Sequence, residues 1–201
     1  MLTIGLCGGS GSGKGTVASL FQKKGFLVID TDAVYHELIS VSSECSLRLI
    51  EEFGEEITDS KKIIDRQKLA QIVFSDRDKL KALNTIAHHY VLKKVREIIK
   101  SADETKFRGA VVDAPLLFES GFDKECDYII CVTASDDLKI LRIVRRDNIS
   151  KENAMKRIQN QAPDHSIISK SDFFIDNNNS DMNGLDNQVE KIISKINANI
   201  K

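Results

Sequence analysis

Nine residues near the start of the chain, GGSGSGKGT from Gly8 to Thr16, combine five glycines with a lysine. Glycine allows positive φ angles, so such a segment can turn its backbone N–H groups inward and bind an anion. The apolar run Leu2–Cys7 precedes it, and a helical pattern that begins near Lys14 places a helix N-terminus beside it. Strand, glycines, lysine and helix in this order predict a loop that binds the phosphates of a nucleoside triphosphate.

This loop indicates phosphoryl transfer, because Lys14 would neutralise the phosphate oxygens as charge shifts in the transition state. A bound Mg²⁺ is expected with the nucleotide. The usual template has Ser or Thr directly after the lysine, whereas here Gly15 lacks an oxygen and Thr16 comes one residue later. The ion would be held by Thr16, by water or by an acidic residue elsewhere. The predicted nucleotide-binding residues of the loop are Gly9, Gly11, Ser12, Gly13, Lys14, Gly15 and Thr16.

Acidic residues follow two apolar runs that are predicted to be strands of a parallel sheet. Asp30 ends the run Phe26–Asp30, and Asp32 lies just beyond it. The carboxyl ends of parallel strands face the ligand, so a carboxylate there could accept a hydroxyl proton or orient the nucleophile. A helix N-cap is favoured for Asp30, whereas for Asp32 both a cap and a catalytic function stay open until the resemblance described below. Asp113, at the end of a later run, could hold magnesium through water or could be a cap or turn residue before Pro115.

Basic side chains cluster in the segment LRIVRRD and on the next predicted helix, at Arg142, Arg145, Arg146 and Arg157. Their guanidinium groups could close over the triphosphate as a lid and stabilise charge on the transferred group. A solvated basic face, with Asp147 paired to one arginine, is the alternative. His88 and His89 lie on a long predicted helix without a Cys, His or acidic partner at ligand spacing, so spacing alone favours ordinary helix-surface histidines.

Unbroken apolar runs separated by helical patterns are typical of strands buried on both faces of a parallel sheet. The expected strands are Leu2–Cys7, Phe26–Asp30, Gly109–Asp113, Asp127–Val132 and Asp172–Ile175. They predict an α/β fold with a doubly wound parallel five-stranded sheet. The helical stretch between the second and third strands is too long for a loop and indicates an insertion. We expect a single domain over residues 1–201, with a core of about 1–32 and 107–201, a helical insertion of about 33–106 and a lid of about 142–163.

The charges of the chain are balanced, because 29 basic and 30 acidic side chains leave a formal net charge of -1. This composition gives no bulk attraction to nucleic acid or to a membrane, and neither partner is expected. Met1 leads directly into an apolar strand without a basic leader, and no apolar run approaches the roughly 20 residues of a membrane span. A cytoplasmic location is therefore expected.

Beyond the loop, a series of segments resembles the dephospho-CoA kinase family, in the same order and over nearly the whole chain. The loop is generic to P-loop kinases, whereas LNTIAHHYV at Leu83–Val91 and VVDAPLLFESG at Val111–Gly121 are far more specific. The other matching segments are GLCGGSGSGKGTVA at Gly5–Ala18, VIDTDAVYHEL at Val28–Leu38, DRQKLAQIVF at Asp65–Phe74, RRDNIS at Arg145–Ser150, RIQNQA at Arg157–Ala162 and IDNNNS at Ile175–Ser180.

The resemblance implies ATP-dependent phosphorylation of the ribose 3′-hydroxyl of dephospho-CoA, which gives coenzyme A and ADP. It implies that Asp32 is the catalytic base and that Lys14 and Arg146 stabilise the moving phosphoryl group. On the acceptor side it implies substrate contacts from Asp32, His88, Pro115, Leu116, Leu117 and Glu119. It also implies that Asn177 lies near the adenine of ATP, and with Arg142 this completes the predicted nucleotide-binding set.

Three positions depart from the usual pattern of the family. Gly15 replaces a serine, which leaves the metal contact open. His89 replaces a proline, which alters the helix geometry beside the acceptor site, and Asn179 replaces a glycine, which affects only a turn.

Two other kinds of nucleotide-binding protein share the loop, and a non-catalytic sensor is a further alternative. A nucleoside monophosphate kinase is suggested by GKGT, but DAPLLFE stands where those enzymes usually carry a DGFPR-like stretch. A GTPase is disfavoured because the chain has no NKxD stretch to bind guanine. A nucleotide sensor that has lost its chemistry is disfavoured because Lys14, Asp32 and Arg146 are all present.

Overall fold

The structure, a computed structural model, describes residues 1–178 and 181–199, so the departure at Asn179 lies outside the described residues. Parallel strands form one sheet in the order β2-β3-β1-β4-β5. They are β1 (Thr3–Cys7), β2 (Leu27–Asp30), β3 (Ala110–Asp113), β4 (Tyr128–Thr133) and β5 (Phe173–Asp176). The predicted doubly wound parallel sheet is confirmed, and the strand ends differ from the prediction by at most one residue.

Helices fill most of the chain between the strands. The α-helices of the described residues are α1 (Lys14–Lys23), α2 (Thr31–Ser40), α3 (Glu44–Phe53), α4 (Arg66–Val73), α5 (Arg77–Ser101), α6 (Asp136–Asp147), α7 (Lys151–Gln159), α8 (Asp164–Ile168) and α9 (Met182–Asn199). The chain divides into two compact units: the first combines Met1–Ile29 with the described residues from Asp103 onward, and the second is Asp30–Ala102. Among the described residues, no helix is both long and apolar enough to cross a membrane.

The first unit contains the sheet, and β1 lies at its centre. Because β1 pairs with β3 on one side and with β4 on the other, all of its residues are buried. Apolar residues recur at helical spacing on α1 and α9, which pack against the strands and against each other. The core that results includes Ile4, Leu6, Val17, Phe21, Val111, Ile130, Val132, Ile175, Val189 and Ile193. The glycine-rich loop therefore leaves the sheet from its best-packed strand.

The second unit is helical and has a core of its own. Each of its α-helices begins at a residue whose side chain accepts hydrogen bonds from the first backbone N–H groups, namely Asp30 for α2, Ser43 for α3, Asp65 for α4 and Asp76 for α5. These caps explain why the helices start where they do. The buried side chains of the unit are Ile39, Cys45, Leu49, Phe53, Ile57, Ile64, Leu69, Val73 and Ile86.

Candidate active site

The loop between β1 and α1 has the backbone geometry of an anion site. Gly11 and Gly13 have positive φ angles of 79° and 96°. A Cβ atom on Gly13 would lie 2.1 Å from Nδ2 of Asn177, so only glycine fits this turn. Gly13 is the N-cap of α1, and no side chain of the described residues caps the helix. The first N–H groups of α1 are thus available to a phosphate.

Lys14 begins α1, and its side chain reaches back over the loop. Its Nζ atom donates a hydrogen bond of 2.9 Å to the backbone oxygen of Gly8. The ammonium group is half-buried and lies within the loop that would surround the phosphates. Thr16 is half-buried one turn into the helix, and Gly15 faces open space, since a Cβ atom there would have no neighbour within 4 Å.

Arg142 and Asn177 hold the loop through its carbonyl oxygens. Arg142, on α6, donates to the backbone oxygens of Gly11 at 3.2 Å, Ser12 at 3.3 Å and Asn177 at 3.0 Å. Asn177 follows β5, is 4% exposed, and donates from Nδ2 to the oxygen of Ser12 at 2.7 Å. Carbonyl oxygens bound in this way are kept away from an anionic ligand. Both residues contact the loop itself, and their contacts with a nucleotide remain predictions.

Arg146 lies one turn beyond Arg142 on α6 and contacts Ser10 of the loop. Its Nη2 atom is 3.5 Å from Oγ of Ser10, and its Nε atom donates to Asp147 at 2.7 Å. Asp147 also pairs with Arg157 on α7. The hydrogen bond from Arg146, with the charges of both arginines, lowers the pKa of Asp147 to about 2. Asp147 is thus paired with arginines, and closure of this cluster over a triphosphate stays a prediction.

Three residues beside the loop were not predicted from the sequence as part of the site, namely Lys139, Gln161 and Asp164. Oε1 of Gln161 accepts a hydrogen bond of 2.9 Å from the backbone N–H of Ser10. Lys139 is buried and forms an ion pair with Asp164. One signal could have found Lys139, because it precedes Arg142 by three residues and Arg146 by seven, which places all three on one face of α6.

The segment after β3 supplies the remaining predicted residues of the first unit. Asp113 ends β3 in register with Leu6 of β1, and is half-buried at the carboxyl edge of the sheet. Leu117 is fully buried, and its side chain would clash with a Cβ atom on Gly5, so its main role is packing. Leu116 is 42% exposed, and Pro115 and Glu119 are also exposed. Surface for a ligand is therefore offered by these three residues and not by Leu117.

The second unit contains the other two predicted residues, Asp32 and His88. Oδ1 of Asp30 accepts hydrogen bonds from the N–H groups of Asp32 at 2.9 Å and Ala33 at 3.1 Å, so the N-cap interpretation of Asp30 is confirmed. Asp32 lies in the first turn of α2 with an exposed side chain. His88 is half-buried in the middle of α5, and His89 is exposed with its ring against Tyr90.

Comparisons with known proteins identify the family. A family model described as CoaE, dephospho-CoA kinase, matches residues 2–183. A dephospho-CoA kinase of Fusobacterium nucleatum is 38% identical over 98% of this chain and 99% of its own length, and that of Corynebacterium efficiens is 33% identical over 100% of both chains. A solved dephospho-CoA kinase from Campylobacter jejuni superimposes with a TM-score of 0.70 at 27% identity, covering 96% of each chain. With its phosphate-binding loop and its parallel sheet, this chain belongs to the dephospho-CoA kinase family.

Proposed function

We propose that this protein transfers the terminal phosphoryl group of ATP to the ribose 3′-hydroxyl of dephospho-CoA, giving coenzyme A and ADP. The observation that carries the proposal is the family match over residues 2–183, which includes both units. The loop alone would leave the acceptor open, because many kinases and GTPases bind phosphates in this way.

The proposed chemistry assigns separate tasks to three side chains. Asp32 accepts the proton of the 3′-hydroxyl, and its exposed carboxylate at the start of α2 supports that task. Lys14 and Arg146 stabilise charge on the phosphoryl group in transfer, which is supported by the contacts of Lys14 with Gly8 and of Arg146 with Ser10. Arg142 and Asn177 bind the nucleotide together with the loop residues Gly9, Gly11, Ser12, Gly13, Lys14, Gly15 and Thr16.

The acceptor is proposed to contact residues of both units. These are Asp32 and His88 of the second unit and Pro115, Leu116 and Glu119 of the first, with the buried Leu117 shaping the floor beneath them. Exposure supports Leu116 more strongly than the fully buried Leu117. In this proposal the helical unit Asp30–Ala102 is the acceptor-binding part of the domain, and residues of about 142–163 are the lid over the nucleotide.

Magnesium fits the site as an ion that arrives with the nucleotide. Among the described residues, no group of three or more His, Cys, Asp or Glu side chains could hold a metal. Mg²⁺ usually keeps several waters and binds one or two protein oxygens plus phosphates, so the Thr16 hydroxyl and the Asp113 carboxylate are sufficient donors. When bound, the ion supplies positive charge at the phosphate oxygens.

A cytoplasmic location without nucleic acid or membrane partners completes the proposal, and the balanced net charge of -1 supports it. Cell fractionation tests this part, because recovery of the protein with membranes or with nucleic acid would contradict it.

Acceptor specificity is the decisive measurement for the proposed function. ADP release in a coupled assay should be rapid with dephospho-CoA and near the buffer rate with AMP or CMP. Turnover with AMP or CMP but not with dephospho-CoA would favour a nucleoside monophosphate kinase and refute the proposal. Tight ATP binding without turnover on any of these acceptors would favour the sensor.

A further inference from the structure

Three polar side chains form a support beneath the phosphate loop, and no step of the proposed reaction uses them. We name Lys139, Gln161 and Asp164 the brace. Nζ of Lys139 lies 2.5 Å from Oδ2 of Asp164 and 3.4 Å from Oδ1 of Asp136. Gln161 accepts the Ser10 N–H at 2.9 Å. The brace therefore joins α6, the turn after α7 and the start of α8 to one peptide group of the loop.

The loop lies directly against the brace. A Cβ atom on Gly9 would be 3.2 Å from Oε1 of Gln161, 3.7 Å from Oδ1 of Asp164 and 3.9 Å from Cε of Lys139. On Gly11 it would be 2.6 Å from the backbone oxygen of Lys139. Because the glycines make these approaches possible, the brace sets how far this side of the loop can move.

The ammonium group of Lys139 is engaged within the protein and is not available for direct contact with a ligand. Its side chain is only 5% exposed, and two carboxylates already face its ammonium group. Taking such a pair out of water carries a desolvation cost, and apolar replacements of similar volume are often neutral or stabilising. Stability alone is therefore a weak reason for an ion pair at this position. Control of the conformation of the neighbouring loop is a better reason for the Lys139–Asp164 ion pair.

We propose that Gln161 and the Lys139–Asp164 ion pair are positioning residues that hold the Gly9–Ser10 peptide in its phosphate-binding conformation. The ion pair fixes the turn of residues 161–164, and Gln161 carries that order to the loop through the Ser10 N–H. Since the identity of the nucleotide rests on the proposed function, the test measures ATP binding separately from transfer to dephospho-CoA.

The first experiment removes the acceptor on Gln161 and keeps the side-chain length, with the variant Gln161→Met. Loss of one hydrogen bond should raise the Kd and KM for ATP by about three- to tenfold, with little change in the KM for dephospho-CoA or in Tm. Gln159→Met is the matched control, because Gln159 is exposed at the end of α7, and it should behave as the unmodified protein.

An unchanged Kd for ATP in Gln161→Met would overturn the proposal. So would tighter ATP binding, because it would show that Gln161 competes with the phosphates for the Ser10 N–H. The Kd for ATP could rise in Gln161→Met while the original protein fails to phosphorylate dephospho-CoA. That result would support the brace and refute the proposed function. The two conclusions are thus separable.

The second experiment distinguishes positioning from simple stabilisation. Lys139→Met and Asp164→Leu should each lower Tm, because each leaves a charge without its main partner. The double variant should recover most of the Tm, but its Kd for ATP should remain raised by at least about threefold. Recovery of both Tm and ATP affinity would show that the pair only stabilises the fold and would exclude its role in the brace.

Discussion

Asp30 and Asp32 are two residues apart, yet their side chains have different surroundings. The Asp30 carboxylate accepts two backbone N–H groups and so caps α2. Asp32 caps none of the described helices and is exposed in the first turn of α2. A carboxylate already engaged in capping is a poor general base, whereas an exposed one can take a proton from a bound hydroxyl.

This contrast gives a matched pair of substitutions. Asp32→Asn should lower kcat by about 100-fold or more, the usual contribution of a general base, with the Kd for ATP near its original value. Asp30→Asn should keep nearly full activity, since asparagine caps helices as well as aspartate does. Steady-state kinetics with dephospho-CoA and calorimetric titration with ATP measure both effects. Retained turnover in Asp32→Asn would assign the proton transfer to another group.

Substitution of Gly15 tests how the loop contacts the metal ion. A side chain there meets nothing within 4 Å, and its φ lies outside the positive range that disfavours other residues. Gly15→Ser should therefore fit and supply the hydroxyl that the usual loop places beside the metal. We expect the Mg²⁺ concentration for half-maximal velocity to fall at fixed ATP. Gly15→Ala is the control, because it gives the same gain in helix propensity without an oxygen. Identical Mg²⁺ dependence in the two variants would contradict the expectation.

At the scale of elements, α6 joins the loop to the segment that follows it. Lys139, Arg142 and Arg146 lie along one face of the helix, and each contacts the loop or its support. Asp147 at the end of α6 bridges Arg146 and Arg157 and so links α6 to α7. Asp147 is thus one of the polar links that hold the proposed lid to α6, together with the Lys139–Asp164 ion pair.

The contribution of that carboxylate to stability should depend on pH. Folding lowers the pKa of Asp147 from 3.8 to about 2, because Arg146 and Arg157 stabilise the charged form. A lowered pKa in the folded state means that the stabilisation is complete above the unfolded pKa and is lost as pH falls through the folded one. Asp147→Asn should thus lower Tm at pH 6, and the difference from the original protein should shrink between pH about 4 and about 2. Thermal unfolding across this range measures it.

Glu37→Gln provides the reference for this series, since Glu37 is an exposed carboxylate in the middle of α2. The difference in Tm between Glu37→Gln and the original protein should stay small at every pH. A Tm difference for Asp147→Asn that is constant from pH 6 to pH 2 would show that the arginine pairing does not stabilise the fold.

Most elements could be predicted because their signals are local. Each strand is an apolar run next to a turn residue, and α5 has a periodic pattern over 25 residues. The helix α8 was missed because its five residues are too few for a period and three of them, Asp164, His165 and Ser166, are polar. The helix α7 ends at Gln159, so Gln161 lies in the turn that follows it and can reach Ser10.

The supporting contacts of the site could not be predicted, for a different reason. Burial of Lys139 depends on Asp164, which lies 25 residues further along the chain. A lysine beside acidic residues on a helix is most often a solvated one, and its alignment with Arg142 and Arg146 on one face of α6 does not by itself indicate burial. Asn177 was named through the family resemblance, but its packing against Gly13 depends on the approach of β5 to the loop.

At the scale of the whole molecule, the predicted residues of the first unit lie at the carboxyl edge of the sheet. The loop follows β1, Asp113 ends β3 and Asn177 follows β5, so the parallel arrangement brings them to one side. Asp30 ends β2 at the same edge, and Asp32 follows it into the second unit. The chain thus passes from the nucleotide-binding sheet into the helical unit at the residue proposed as base.

The strand order also has a consequence for synthesis on the ribosome. Thr3 of β1 pairs with Ala110 of β3, and the edge strand β5 ends only at Asp176. The sheet therefore cannot close until nearly the entire chain has been translated, and β1 must wait while the residues between are made. Asp30–Ala102 has its own buried core and is complete long before that. Translation thus completes a helical unit with its own buried core while β1, which leads into the loop, still lacks its strand partners.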